Sequence, residues 1–200
     1  MSDFVKGSRH FRTTYHAENR ARYASLARAQ RPDCLFITCS DSRILPSRIT
    51  ESGPGESFVI RNIANMVPPW ERAGEFLAVS SAIEYAVEVL EVGNIIVCGH
   101  SNCGGCKLLR EGGTDSLPLA SAWVALSSDI REKSNRPEPT SEQTSERDNV
   151  LLQLKRLHEY PAIAQRCDQN RLSLHGWHYT IESGEIHQYD PADDTFTLIN

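Results

Sequence analysis

The sequence predicts an α/β domain, a mostly parallel central sheet flanked by helices. Three observations predict it. Cys34-Leu35-Phe36-Ile37-Thr38 runs without polar interruption into Cys39, and Ile95-Ile96-Val97-Cys98-Gly99 runs in the same way into His100. Continuous apolar runs of this length suit strands covered on both faces, as parallel strands are. Between them, residues 75–91 carry Phe76, Val79, Ile83, Ala86, Val87 and Leu90 at helical spacing, and Gly93-Asn94 breaks the pattern. Helix, turn and strand in this order suit a right-handed crossover between parallel strands.

The remaining elements follow along the chain. Residues 10–30 read as a helix rich in Ala and Arg, with Phe11, Tyr15, Tyr23 and Leu26 as its apolar positions and Pro32 ending it. So long an arm ahead of the first core strand suits packing on another subunit. Phe58-Val59-Ile60 is a short strand introduced by the turn Gly53-Pro54-Gly55. Gly104-Gly105 opens a helix over Cys106 to Arg110, and Val150 to Leu157 is amphipathic. Leu172-Ser173-Leu174 and Trp177-Tyr179-Ile181 read as two strands, with Glu182-Ser183-Gly184-Glu185 as a hairpin turn. Residues 1–200 are read as a single domain, with 1–30 as the N-terminal helical arm and 131–149 as a polar surface segment.

The bulk numbers exclude several classes. The 200 residues suit one domain with a substantial core. A net charge of −5 leaves no basic footprint for nucleic acid. No apolar run approaches a membrane span of about 20 residues. Met1 to Arg12 is polar and lacks the apolar core of a secretory leader, and Asp3 and Glu18 argue against a transit peptide. The six cysteines sit mostly inside apolar runs rather than at disulfide-scaffold spacing, so a reducing, cytoplasmic setting is expected.

In an open α/β sheet, ligands gather beyond the carboxyl ends of the strands. Cys39, His100 and Cys103 stand where two such strands end. Two thiolates and an imidazole bind zinc and leave a fourth tetrahedral position open, as in catalytic sites. Asp41 and Arg43 follow Cys39 at intervals of two, which places them on one side of an extended segment. There Arg43 forks onto the Asp41 carboxylate, orienting it and keeping it ionised, so that it can manage whatever fills the fourth position. Two rivals stand beside this reading. Cys103-Gly104-Gly105-Cys106 has the spacing of a thiol redox motif at a helix N-terminus. Alternatively, Cys106 joins the other three in a closed structural zinc site. Cys34, Cys98 and Cys167 read as buried small hydrophobes.

These residues resemble the β-class carbonic anhydrases. The resemblance lies in Cys39-Ser40-Asp41-Ser42-Arg43, in Arg61-Asn62-Ile63-Ala64-Asn65 with Pro68-Pro69, and in Gly99-His100-Ser101-Asn102-Cys103-Gly104-Gly105. It extends through Ala82-x-Glu84-Tyr85-Ala86 and Leu174-His175-Gly176-Trp177-x-Tyr179, and is nearest the plant-like and cyanate-operon branch. It implies a zinc-dependent lyase, a carbonic anhydrase, with one zinc per chain. The implied reaction is reversible hydration of CO2 to bicarbonate and a proton by zinc-held hydroxide. Cys39, His100 and Cys103 match the zinc ligands, and Asp41 and Arg43 the dyad beside the fourth position. Gln30 matches a glutamine that reaches the substrate pocket from a partner subunit. Phe58, Ile63 and Tyr85 match the pocket wall, and Gly104 the glycine whose backbone lies against it. The position of Cys106 is usually a plain apolar residue in the family, which favours the buried reading. The implied assembly is a homodimer or a higher even-numbered homo-oligomer. Phe36 replaces a tryptophan of the bicarbonate-inhibited branch, Val89 stands at or beside the place of a shuttle histidine in some plant enzymes, and Gly74-Glu75-Phe76-Leu77 departs from a Gly-rich run. The alternatives are hydrolysis of COS or CS2 on the same site, or a non-catalytic zinc or thiol regulatory protein.

Overall fold

A computed structural model describes residues 2–128 and 142–199. They form two compact units that divide between Arg31 and Pro32.

The N-terminal unit holds helices α1 (Ser2–Thr13), α2 (Tyr15–Glu18) and α3 (Arg20–Leu26). The single helix expected over 10–30 is therefore corrected: helix begins near residue 2, breaks twice and ends at Leu26. Thr14 leaves helical geometry at φ −118° and ψ −87°. At the second break the Asn19 amide donates to the Tyr15 carbonyl at 2.7 Å, a local bond that competes with helix continuation. Phe11 stacks on Tyr15 with centroids 5.9 Å apart, and His16 lies 4.5 Å from Tyr23.

The second unit is built on six strands: β1 (Cys34–Cys39), β2 (Ser57–Asn62), β3 (Asn94–His100), β4 (Ser173–Tyr179), β5 (Ile186–Asp190) and β6 (Thr195–Leu198). Their order is β2-β1-β3-β4-β5-β6. The first four run parallel, and β5 and β6 add on antiparallel. β1 and β3 are neighbours, yet β1 continues to β2 on one side and β3 to β4 on the other. Their carboxyl ends therefore flank a topological switch point, where a crevice opens.

The central strands are apolar because both faces are covered. Leu35, Ile37, Ile95 and Val97 are fully buried, each contributing about 1.5–3 kcal/mol of transfer free energy. Helices α4 (Pro46–Ile49), α5 (Leu77–Glu84), α6 (Gly104–Glu111), α7 (Pro118–Val124), α8 (Glu142–Glu159) and α9 (Pro161–Asp168) complete the unit. The helix expected over 75–91 starts at Leu77 and widens into a π turn over Tyr85–Val89, where Leu90 N–H donates to the Tyr85 carbonyl at 3.0 Å. The two strands expected around 172–181 are one strand, β4. Gly176 lies in its middle. A Cβ at Gly176 would come within 2.8 Å of Leu154 on α8, and one at Gly99 within 2.7 Å of Val150. These glycines let α8 lie directly on β3 and β4.

Part of the expected polar surface segment, residues 131–141, lies outside the described residues. Its remainder corrects the expectation: residues 142–149 open α8, and Ser145, Glu146 and Asn149 are buried. With Gln153 and Arg156 they form a buried polar stripe at helical spacing. Three of these side chains satisfy irregular backbone. Asn149 donates to the Ala64 carbonyl at 2.8 Å, Gln153 accepts from Val67 N–H at 2.8 Å, and Arg156 donates to the carbonyls of Val67 and Leu126. Buried loop backbone must be paired, and these polar groups pair it.

Candidate metal centre

β1 and β3 deliver the cluster. Cys39 ends β1 and His100 ends β3, each just past the Thr38–Cys98 pair of the parallel ladder. Ser101 and Asn102 turn the chain, Asn102 at φ 57°, and Cys103 caps α6. The ligand atoms of Cys39, His100 and Cys103 lie within 4.8 Å of one another, and all three residues are buried. The two sulfurs are 3.9 Å apart.

The donor set fits zinc on two counts. His100 Nδ1 lies 3.0 Å from the Ser101 carbonyl, which fixes Nδ1 as the protonated nitrogen. Nε2 is left buried without a hydrogen-bond partner, its lone pair aimed into the cluster. The thiols supply the second count. The hydrogen bond with Cys103 and then burial push Cys39 up to about 12, and contact with Cys106 first raises Cys103 to about 12. Buried sulfurs this close ionise together only around a cation, and two thiolates with one imidazole suit zinc. Cys106 is buried beside Leu109 and Met66 and is not among the converging ligand atoms. A raised Cys103 thiol is also the reverse of the activated thiolate that a redox pair needs.

Asp41 flanks the cluster, with Oδ2 3.9 Å from His100 Nε2. Arg43 grips it: the backbone N–H and Nε donate to Oδ1, each at 2.9 Å, and Nη2 to Oδ2 at 2.7 Å. These bonds hold the carboxyl well below the usual carboxylate range. Oδ2 spends one lone pair on Arg43 and keeps another for a group at the cluster. Arg43 Nη2 also donates to the Asn102 carbonyl at 3.0 Å, tying the two loops together. Arg61, from β2, donates to the carbonyls of Cys39 at 3.1 Å and Asp41 at 2.7 Å, a bracing role that the sequence alone did not suggest.

Of the expected pocket residues, Phe58 and Tyr85 come together with centroids 6.1 Å apart. Ile63 follows β2, its carbonyl taken by Trp123 Nε1 at 2.8 Å. Tyr85 and Ile63 stay 44% and 41% exposed. Gly104 is the first residue of α6, next to Cys103. Gln30 is exposed and belongs to the N-terminal unit. Phe36 is buried and meets Trp177 edge-on at 6.0 Å, while Val89 is exposed.

The chain as a whole is similar to known proteins. The carbonic anhydrase family model matches residues 34–186. A carbonic anhydrase of Pseudomonas aeruginosa is 40% identical, across 100% of this chain and 92% of its own length. One of Synechococcus elongatus is 39% identical, across 98% of this chain and 74% of its own. Among solved structures, the β-carbonic anhydrase CcaA superposes with a TM-score of 0.93 at 39% identity, covering 100% of this chain and 99% of that one. A tetrameric β-carbonic anhydrase of Sordaria macrospora superposes at 0.82 and 28% identity, covering 94% and 95%.

Proposed function

This chain belongs to the β-class carbonic anhydrase family, and we propose that Cys39, His100 and Cys103 hold its zinc while Asp41 and Arg43 manage the reacting position. The reaction is the reversible hydration of carbon dioxide to bicarbonate and a proton. When bound, zinc supplies the Lewis acidity that makes water a nucleophile near neutral pH, for which carbonic anhydrase is itself the standard example.

The protein groups do the rest. Asp41, kept ionised by Arg43, accepts a hydrogen bond from the nucleophile through the free lone pair of Oδ2, so the nucleophile turns its own lone pair towards the carbon. Being an acceptor only, Asp41 admits a protonated oxygen and disfavours a bare one. Phe58, Ile63 and Tyr85 form an apolar wall for a substrate without net charge. The Gly104 amide and Gln30, the latter contributed by a second copy of the chain, orient its oxygens.

The exposure of Ile63 and Tyr85 supports a wall completed by that second copy, and so an even-numbered homo-oligomer, as in the tetrameric Sordaria relative. The free thiols at Cys39 and Cys103 that zinc requires support a reducing, cytoplasmic setting. No helix among the described residues is long and apolar enough to cross a membrane.

The observation that carries the residue assignment is the convergence of His100 Nε2, two sulfurs and the gripped Asp41 at one switch point. A CO2 hydration assay with zinc quantitation tests it. One zinc per chain and rapid hydration are expected, and a zinc-loaded protein without hydration would refute the roles given to Asp41 and Arg43.

A further inference from the structure

Glu146 is a nearly fully buried acid that the reaction above does not use. Its Oε1 accepts the backbone N–H of Cys103 at 3.0 Å, and its Oε2 lies 2.9 Å from Nε2 of His178. His178 sits on β4 opposite Gly99 and is fully buried. A buried carboxylate is costly unless paired and hydrogen-bonded, and an apolar side chain of similar volume avoids that cost. The pair is explained by what it holds.

It holds one peptide unit, Asn102–Cys103. The carbonyl of this unit accepts Arg43 Nη2 at 3.0 Å, and its N–H donates to Glu146. The peptide is thus gripped at both ends. Asn102, at φ 57°, is in the left-handed region, which asparagine tolerates better than most non-glycine residues, and the two bonds hold the turn there. The same peptide carries the Cys103 sulfur on one side and anchors the Asp41–Arg43 pair on the other.

We propose that Glu146, held by His178, is a positioning residue that clamps the Asn102–Cys103 peptide and so places both the Cys103 sulfur and the Asp41–Arg43 pair. This rests on Cys39, His100 and Cys103 being the zinc ligands. Glu146 acts through the Cys103 backbone. A carboxylate suits the task because it offers one acceptor to Cys103 N–H and another to His178 Nε2. A glutamine keeps the first acceptor and faces His178 with its NH2, which the imidazole tolerates by changing tautomer. A leucine keeps the volume and loses both bonds.

The test is the rate at which zinc-loaded protein gives up its metal to a chelator, read with the visible thiolate bands of the cobalt-substituted protein. Glu146→Leu is expected to release zinc about 10- to 100-fold faster and to shift the cobalt bands. Glu146→Gln is expected to restore slow release. Gln153→Leu, on the same helix and equally buried, is the control for simple destabilisation and is expected to release zinc like the wild type. Wild-type release from Glu146→Leu, equal acceleration in Gln153→Leu, or failure of Glu146→Gln to rescue would each overturn the proposal. A measurement on the unmutated zinc protein does not depend on any variant folding. The Cys103 amide proton is expected far downfield and slow to exchange, and fast exchange would also overturn the clamp. A wild-type protein that takes up no zinc would overturn the ligand assignment and this inference with it, whereas zinc uptake with an unaffected Glu146→Leu overturns this inference alone.

Discussion

Arg43 meets Asp41 with its backbone N–H, Nε and Nη2, at 2.9, 2.9 and 2.7 Å, and this leaves Asp41 Oδ2 3.9 Å from the unpartnered Nε2 of His100. The guanidinium holds the carboxylate at the edge of the metal cluster in a fixed orientation. Charge-assisted, two-pronged contacts of this kind fix geometry more firmly than a single ion pair.

Asp41→Asn is therefore expected to retain zinc and to lower CO2 hydration by about 10- to 100-fold, the usual scale for a group that acts beside a metal. Arg43→Ala acts through Asp41, so the double variant should be little worse than the worse single one. Stopped-flow hydration of zinc-quantified variants measures both, and an additive loss would separate the two residues.

Removing a ligand should remove the metal. Cys103→Ser and His100→Ala leave two protein ligands and are expected to lose zinc and activity together, whereas Cys106→Ala should keep zinc. Metal analysis after dialysis decides between this and the closed four-ligand site, which predicts loss in Cys106→Ala as well.

Zinc uptake should release protons. Both cluster thiols are pushed up to about 12 in the absence of a cation, Cys39 by Cys103 and Cys103 by Cys106, with burial adding to each. They are protonated at neutral pH and ionise on binding, so affinity rises with pH. Titrating zinc into chelator-treated protein in weak buffer with an indicator dye should show about two protons from the thiols per zinc, and no proton release would contradict this charge state.

The α8 seat on the sheet predicts a steric signature. Gly99→Ala places a Cβ 2.7 Å from Val150 and should destabilise the protein by about 1–3 kcal/mol. Val150→Ala in the same chain should recover part of that loss, because it removes the opposing methyls. Urea unfolding of the single and double variants measures the coupling, and strict additivity would show that the contact is not the cause.

The assembly prediction concerns the N-terminal unit. Deleting residues 1–24 is expected to weaken oligomerisation and activity together. Light scattering at assay concentration checks it, and a fully active monomer would end the picture of a pocket shared between copies.

The sequence by itself determined the two central strands, the residues at their ends and the family they resemble. That information is local: an apolar run ending in a metal-binding side chain states both burial and chemistry within a few residues. Cys34–Cys39 is the strand expected, and β3 extends the expected one by a residue or two at each end. The tertiary structure decided what depends on distant partners. Polar residues of α8 read as a solvated face because nothing near them in sequence needs hydrogen bonds. They are buried because Ala64, Val67 and Cys103, 43 to 86 residues away, present backbone groups that only these side chains reach. The continuity of β4 through Gly176 and the π turn at Tyr85 were hidden for the same reason. The need for glycine at 176 shows only once α8 is set against it, and a widened turn is set by packing rather than by propensity.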